Sequence, residues 1–361
     1  MDTGDMSSGR VKSVDVMRGF VMLSMMMHTF GLKDLAEKAD NPVIGFIFNQ
    51  LNHAPWRGFH LEDLILPSFL FIIGISMGLS DLKRTARGES HKTRLGHAAK
   101  RSALLFLFGF LLSWISAGKP TFGPGVLQVL ALSYFGAFLF IGKSIKYQFG
   151  VFAALLFVYW FFIFIVPIPE AGRNSYELFK NLVYFIDDKV TGAASRWGYL
   201  YTVITSIAVV VYGTIVAKLY TARKSDTHLL KTLAILALVG VISGLALNPF
   251  IPIIKRMFTP SYTLLTCGLA TASFIAVYWL IDMRGTSKWS FPFLVIGMNS
   301  ICIYIIHLLL NRWFLETAGV FINPLEAIIG SWVHPLTYAV SLSAQWLICL
   351  WLYRRKIFIK V

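Results

Sequence analysis

Residues 63–80 read Asp63-Leu-Ile-Leu-Pro-Ser-Phe-Leu-Phe-Ile-Ile-Gly-Ile-Ser-Met-Gly-Leu-Ser80. Past the aspartate the run carries no charge, and as helix it rises about 27 Å, close to the roughly 30 Å depth of bilayer hydrocarbon. Backbone N–H and C=O groups find no water in that medium, so a helix that satisfies them internally is the expected state. Gly74 and Gly78, four apart, mark a face for close helix packing. Similar apolar blocks recur near 14–31, 102–117, 125–142, 149–167, 199–217, 232–248, 261–281, 291–310 and 335–353. The 361 residues are 56% hydrophobic and 14% charged, against about 25% charge in a soluble domain. The expected fold is all-α: a polytopic transmembrane helical bundle of about ten spans, one domain over residues 1–361.

Downstream of that block, residues 81–101 hold Lys83, Arg84, Arg87, Lys92, Arg94, Lys100 and Arg101, the strongest basic run in the chain. Short basic loops mark the cytoplasmic side of a membrane protein. Reading 81–101 as such a loop puts Lys143, Lys146, Lys218, Arg223, Lys224, Lys231, Arg284, Lys288 and the Arg354-Arg355-Lys356 tail on the same side. Both termini are then cytoplasmic and residues 32–62 external. The net charge of +15 belongs to these loops, and no aromatic-interleaved basic stretch offers a nucleic-acid platform. The polar N-terminus, followed by Asp15 and Arg18 inside the first apolar block, does not match a cleaved signal peptide, so the first span is expected to stay. Cys267, Cys302 and Cys349 all lie in apolar blocks and predict no disulfide.

Upstream of the opening block lies Asn52-His-Ala-Pro-Trp-Arg-Gly-Phe-His-Leu-Glu62, preceded by a short half-apolar piece from Asn41 to Leu51 that reads as an interfacial or re-entrant helix. Titratable groups beside a membrane span are costly, which makes this cluster a functional candidate. Interfacial loops also carry Trp and Arg simply as anchors. A neutral His53 imidazole can take a proton from a nucleophile or itself attack an acyl group. Asp63, ten residues on, either orients that histidine or satisfies free N–H groups at the start of its helix. Glu62 faces about 100° away around a helix.

Three further constellations stand out. Asp15, Arg18 and His28 in the first span read as a polar path through the bundle, or as a snorkelling pair plus a structural histidine. Ser300, Tyr304, His307 and Asn311, with Asn299 beside them, form one helical stripe that lines a buried channel or glues helices together. Lys255 and Arg256, in a Pro-rich loop, either attract an anion or sit in solvent. The loop 168–198 is expected to be irregular. His53 with His60, and His91 with His97, lack the spacing of helical zinc ligands, so no metal is expected. Two function classes are open at this point: an enzyme working at the His53 cluster, and a solute transporter with Asp15, Arg18 and His307 along its path.

Five blocks in order carry a resemblance: Ser13-Val-Asp-Val-Met-Arg-Gly-Phe, His53-Ala-Pro-Trp-Arg-Gly-Phe-His-Leu-Glu-Asp, Gly125-Val-Leu-Gln, Pro252-Ile-Ile-Lys-Arg-Met-Phe-Thr-Pro-Ser and Phe293-Leu-Val-Ile-Gly-Met-Asn-Ser-Ile. Together they resemble the heparan-α-glucosaminide N-acetyltransferase family, over most of the chain. The resemblance implies an acetyltransferase that moves acetyl from cytosolic acetyl-CoA, a co-substrate, to a glucosamine-type amino sugar or glycan across the bilayer. It implies His53 as the catalytic histidine and Asp63 as its partner. The family's Asn or His eleven residues after the arginine of Arg18-Gly falls on Thr29 here, with His28 one residue earlier, and His28 is the expected second partner. Arg18, Arg101, Gln128, Asn299 and Ser300 are expected to hold the CoA, and Trp56, Tyr304 and His307 the acceptor. The chain looks like a compact bacterial relative, which implies an inner-membrane protein; a homodimer is compatible with this reading.

Overall fold

The computed structural model describes residues 11–27, 32, 42–120, 125–169, 171–191 and 199–359. Among them no strand occurs. The α-helices of eight or more residues are α1 Lys12–Met27, α2 Pro42–Gln50, α3 Ile65–Ala86 (entered through a 3-10 turn, Leu61–Leu64), α4 His91–Ala117, α5 Val126–Phe138, α6 Ile145–Ile165, α7 Leu182–Thr191, α8 Tyr199–Thr221, α9 Asp226–Leu247, α10 Pro260–Tyr278, α11 Phe291–Met298, α12 Ser300–Ile322 and α13 Val333–Arg354. Seven helical stretches are long and apolar enough to cross a membrane, the last of them, Ser300–Arg354, containing both α12 and α13. The helices α1 and α5, both read as spans, are described over 16 and 13 residues and fall short of that length.

Two of the expected boundaries move for a physical reason. Residues 81–101 are not a loop. Lysine and arginine are good helix formers, so α3 runs on to Ala86 and α4 starts at His91. Only a tight turn separates them, with Gly88 at φ 79° and Ser90 capping α4 by accepting from Thr93 N at 3.1 Å. The same serine device opens α6 at Ser144 and α9 at Ser225, through Tyr147 N and His228 N. The block 291–310 is not one helix either. It breaks at Asn299, whose backbone leaves the helical region at φ −128°, ψ 35°. Within the loop expected to be irregular, α7 is helical.

The bundle is centred on α3 and α8. A Cβ at Gly74 would lie 2.2 Å from Val210 O, and one at Gly213 2.3 Å from Phe71 O, so the two backbones meet where neither helix carries a side chain. Phe71, Ile72 and Ile75 of α3, Val210 and Tyr212 of α8 and Phe274 of α10 form the buried core around that contact. The helices α9 and α10 pair on one flank, α4 and α5 on another, and α1 packs on α11. Gly19 and Gly297 allow that last approach: a Cβ on either would fall within 2 Å of the opposing backbone. The helix α2 buries none of its residues and exposes Val43, Ile44, Phe46 and Ile47, as an interfacial helix would.

Candidate functional site

The loop 52–60 turns at Gly58, where φ is 108°, a value that favours glycine. Gly58 N donates to Ile253 O at 2.9 Å, which ties this loop to the loop between α9 and α10. That second loop is itself braced. Asn248 Oδ1 accepts from Ile253 N at 2.9 Å, Thr259 Oγ1 donates to Pro252 O at 2.8 Å, and Tyr159 Oη donates to Met257 O. Tyr262, fully buried on α10, donates to Asp63 O at 2.6 Å. Two segments about 200 residues apart are thereby held side by side.

The result is a cluster of His53, Asp63 and Lys255. The Asp63 side chain is fully buried, and its two oxygens have different surroundings. Its Oδ2 accepts from the backbone N–H groups of Ala54 (3.2 Å) and His60 (3.0 Å), which shapes the loop. Its Oδ1 faces His53 Nδ1 at 3.1 Å and Lys255 Nζ at 3.5 Å. A buried carboxylate is tolerable only with such donors and cations around it. Lys255 Nζ lies 2.7 Å from His53 Nδ1 and 2.8 Å from Nε2. Burial draws the Lys255 ammonium below the ordinary lysine range, while Asp63 and Glu62 pull it the other way. The His53 side chain is 46% exposed and so approachable. His60 is occupied elsewhere, its Nδ1 2.9 Å from Asn52 O.

At the other end of α3 a wide vestibule opens, about 880 Å³, lined by Asp15, Arg18, Arg84, Arg94, His97, Lys100 and Arg101 among others. A narrower apolar cavity of about 60 Å³ continues from it, lined by Met22, Met25, Leu66, Phe69, Ile73, Leu105, Val126, Leu130 and Tyr304. Arg18, Ser76, Arg101, Ser300 and Ile301 line both and form the junction. Arg18 pairs with Asp15 at 3.0 Å and donates to Ser76 Oγ at 2.6 Å. Arg101 stacks on Tyr134, its Nε buried with no hydrogen-bond partner among the described residues. The narrow cavity reaches Leu66, three residues from Asp63, which is roughly 5 Å along a helix axis. Polar, cationic space thus gives way to apolar space along one axis that ends a helical turn from the His53 cluster.

Of the residues singled out in the sequence, His53 and Asp63 are brought together, and Arg18, Arg101, Ser300 and Tyr304 line the cavities. Others face elsewhere. Gln128 spans the start of α5, its Oε1 accepting from Gly125 N at 2.9 Å, and borders neither cavity. Asn299 is buried and bonds the C-terminal segment, donating to Ile357 O (3.1 Å) and accepting from Ile359 N (2.9 Å). His307 Nδ1 lies 3.0 Å from Gln345 Oε1, and Gln345 Nε2 donates to Asn311 Oδ1, so the outer half of that stripe joins α12 to α13. Trp56 is pinned by its Nε1 donating to Tyr176 O at 2.8 Å and packs near Tyr184. His28 and Thr29 lie outside the described residues. Lys255 was not singled out as part of the His53 site. Its sequence distance hid the contact, and its signs in the sequence were its place beside Arg256 in the Pro-rich loop and in a motif of the resemblance.

Among the described residues no group of His, Cys, Asp and Glu is arranged to hold a metal ion. The catalytic-domain model for heparan-alpha-glucosaminide N-acetyltransferase matches residues 10–245. The human heparan-alpha-glucosaminide N-acetyltransferase is 27% identical over 98% of this chain and 60% of its own length. The mouse enzyme of the same name is 25% identical over 87% of this chain and 55% of its own length. The chain therefore spans little more than half the length of these relatives.

Proposed function

Because the chain belongs to the heparan-alpha-glucosaminide N-acetyltransferase catalytic family, we propose that it transfers acetyl from acetyl-CoA to the amine of a glucosamine-type amino sugar, donor and acceptor arriving from opposite ends of the bundle. The observation that carries this reading is the single graded axis: basic vestibule, thin apolar cavity, then the His53 cluster. CoA is a polyanionic nucleotide on a slender arm, and it cannot cross hydrocarbon. Its phosphates suit the vestibule, with Arg18 and Arg101 at the junction, and its arm suits the apolar cavity past Ser300 and Tyr304. In this reading the vestibule faces the cytoplasm, both termini lie on that side, about ten helices cross a bacterial inner membrane, and a homodimer is compatible.

His53 acts as general base for the amine or takes the acetyl group itself. Asp63 holds the imidazole through Nδ1 and favours the cationic ring that forms in either route. Trp56, held rigidly, is a wall for the sugar. His28 is a second partner to His53 in this reading. Gln128, Asn299 and His307 act behind the site, fixing the helices that border it.

The test is CoA release by purified protein with acetyl-CoA and glucosamine-type acceptors. His53→Ala is expected to lower turnover by about 10²-fold or more, and Asp63→Asn to lower it substantially with the fold retained. Undiminished turnover in His53→Ala removes His53 from the mechanism.

A further inference from the structure

We propose that Lys255 is a catalytic residue, supplying the cation that holds the oxyanion formed when an acetyl carbonyl is attacked at His53. The inference rests on the acetyl-transfer reading above and adds to it a residue 202 positions away from His53 in the chain. Distances of 2.7 Å and 2.8 Å from Nζ to the two ring nitrogens set the ammonium against the imidazole, within hydrogen-bond reach of both. A positive charge therefore waits beside whichever ring nitrogen carries the acyl group. An acyl carbon bonded to a ring nitrogen carries its oxygen one bond further out, still within hydrogen-bond reach of an ammonium so placed.

The loop is built to hold that ammonium still. Phe258, three residues on, adopts φ 55°, an unfavourable conformation for a side chain of its size. The turn is closed by Phe258 N donating to Lys255 O at 2.9 Å, and Phe258 is buried against Tyr262. Strain of this kind persists where surrounding packing over-determines the backbone, often at functional sites. Lys255 itself is 22% exposed, and its ammonium is kept inside at a desolvation cost. Neutralising Asp63 is part of its role. The Nζ–Asp63 distance, 3.5 Å, is longer than either contact with the His53 ring, so the ammonium also reaches the imidazole.

The step balances as follows. The lone pair of neutral His53 forms the N–C bond to the thioester carbonyl, and the C=O π pair moves to oxygen, where Lys255 donates to it. The carbonyl re-forms as the C–S bond breaks, and that pair leaves on sulfur as the CoA thiolate. The acetyl-imidazolium keeps its remaining N–H toward Asp63. The acceptor amine then attacks the acetyl carbon, the N–C bond to His53 breaks with its pair returning to the ring, and the proton shed by the new amide passes through water to the thiolate.

The experiment is stopped-flow CoA release, with and without a glucosamine acceptor, for wild type, Lys255→Gln and Lys255→Arg, with thermal unfolding as the check on folding. Lys255→Met carries the same comparison where the glutamine variant does not fold. Without acceptor, the wild type is expected to release a stoichiometric burst of CoA. In Lys255→Gln the burst rate and kcat are expected to fall about 10²- to 10³-fold. The KM for acetyl-CoA is expected to stay within about threefold, because only a transition-state contact is lost. Lys255→Arg, which keeps the charge, is expected to restore part of the rate; a merely structural lysine shows no such split. Burst and turnover in Lys255→Gln within about threefold of wild type overturn the role of Lys255 alone, as does turnover with acceptor but no wild-type burst. No CoA release by the wild type under any condition overturns the acetyl-transfer reading itself.

Discussion

A single side chain can carry two requirements that sequence reading treats as alternatives, and Asp63 does so by dividing its oxygens. One shapes the loop that carries His53, and the other faces the imidazole. The pairing was legible because the two residues lie ten apart in the chain and within one motif of the resemblance. Lys255 was not, since nothing local to residues 252–261 reports that Gly58 N bonds Ile253 O. A neighbouring residue allows a test with a pH signature. Tyr176 lies under Trp56, and its buried hydroxyl finds no hydrogen-bond partner among the described residues. Burial pushes its phenol from the ordinary 10.0 up to about 12. Below pH 10 both the folded and the unfolded chain hold this proton. Between about 10 and 12 the unfolded chain releases it first, so the unfolded state binds fewer protons and stability falls as pH rises. Tyr176→Phe removes an unsatisfied hydroxyl and that titration together. Unfolding midpoints from pH 7 to 12 are expected to match or exceed wild type at neutral pH, with a shallower decline above pH 10. An equal or steeper alkaline decline in the variant contradicts this account of the tyrosine.

Helix contacts show the same division between what local pattern reveals and what distance conceals. The Gly74-x-x-x-Gly78 spacing announces a close-packing face, but not that the partner is α8, where Gly213 answers Gly74. Likewise the apolar block 291–310 reads as one span, because hydropathy gives a lone asparagine little weight. The break at Asn299 depends on a chain segment about sixty residues later that its side chain binds. Conversely, Gly88 and Ser90 were visible signals of a tight turn and a helix start, overridden by reading charge density as loop. The glycine seam yields a paired prediction. In Gly213→Ala the new Cβ meets Phe71 O at 2.3 Å, backbone that cannot rotate away, so a loss of about 2–3 kcal/mol or more is expected. Gly150→Ala, on α6 with nothing within 4 Å of its Cβ, is expected to be neutral or to stabilise by up to about 1 kcal/mol. Thermal unfolding in detergent compares the two, and equal midpoints contradict the packing argument.

At the scale of the whole molecule, the ordering of charge along the bundle is what links fold to chemistry. Lys83, Arg84, Arg87, Lys92, Arg94, Lys100 and Arg101 gather around the α3–α4 turn, beside the vestibule, while His53, Asp63 and Lys255 lie at the opposite end of α3. Basic residues hold to the cytoplasmic side during insertion, and the proposed transfer draws acetyl-CoA from the cytosol, so the charge rule and the proposal predict the same orientation. Arg57 and Lys92, both exposed, report the two ends separately. Cys267 and Cys349 are buried and Cys302 is partly buried, which keeps the background from native thiols low. With a membrane-impermeant maleimide on intact cells, Arg57→Cys is expected to label and Lys92→Cys to label only after permeabilisation. Labelling of Lys92→Cys in intact cells, with Arg57→Cys protected, would invert the orientation. The basic vestibule would then open away from cytosolic acetyl-CoA, and no placement of His53 could rescue a transfer that starts from it.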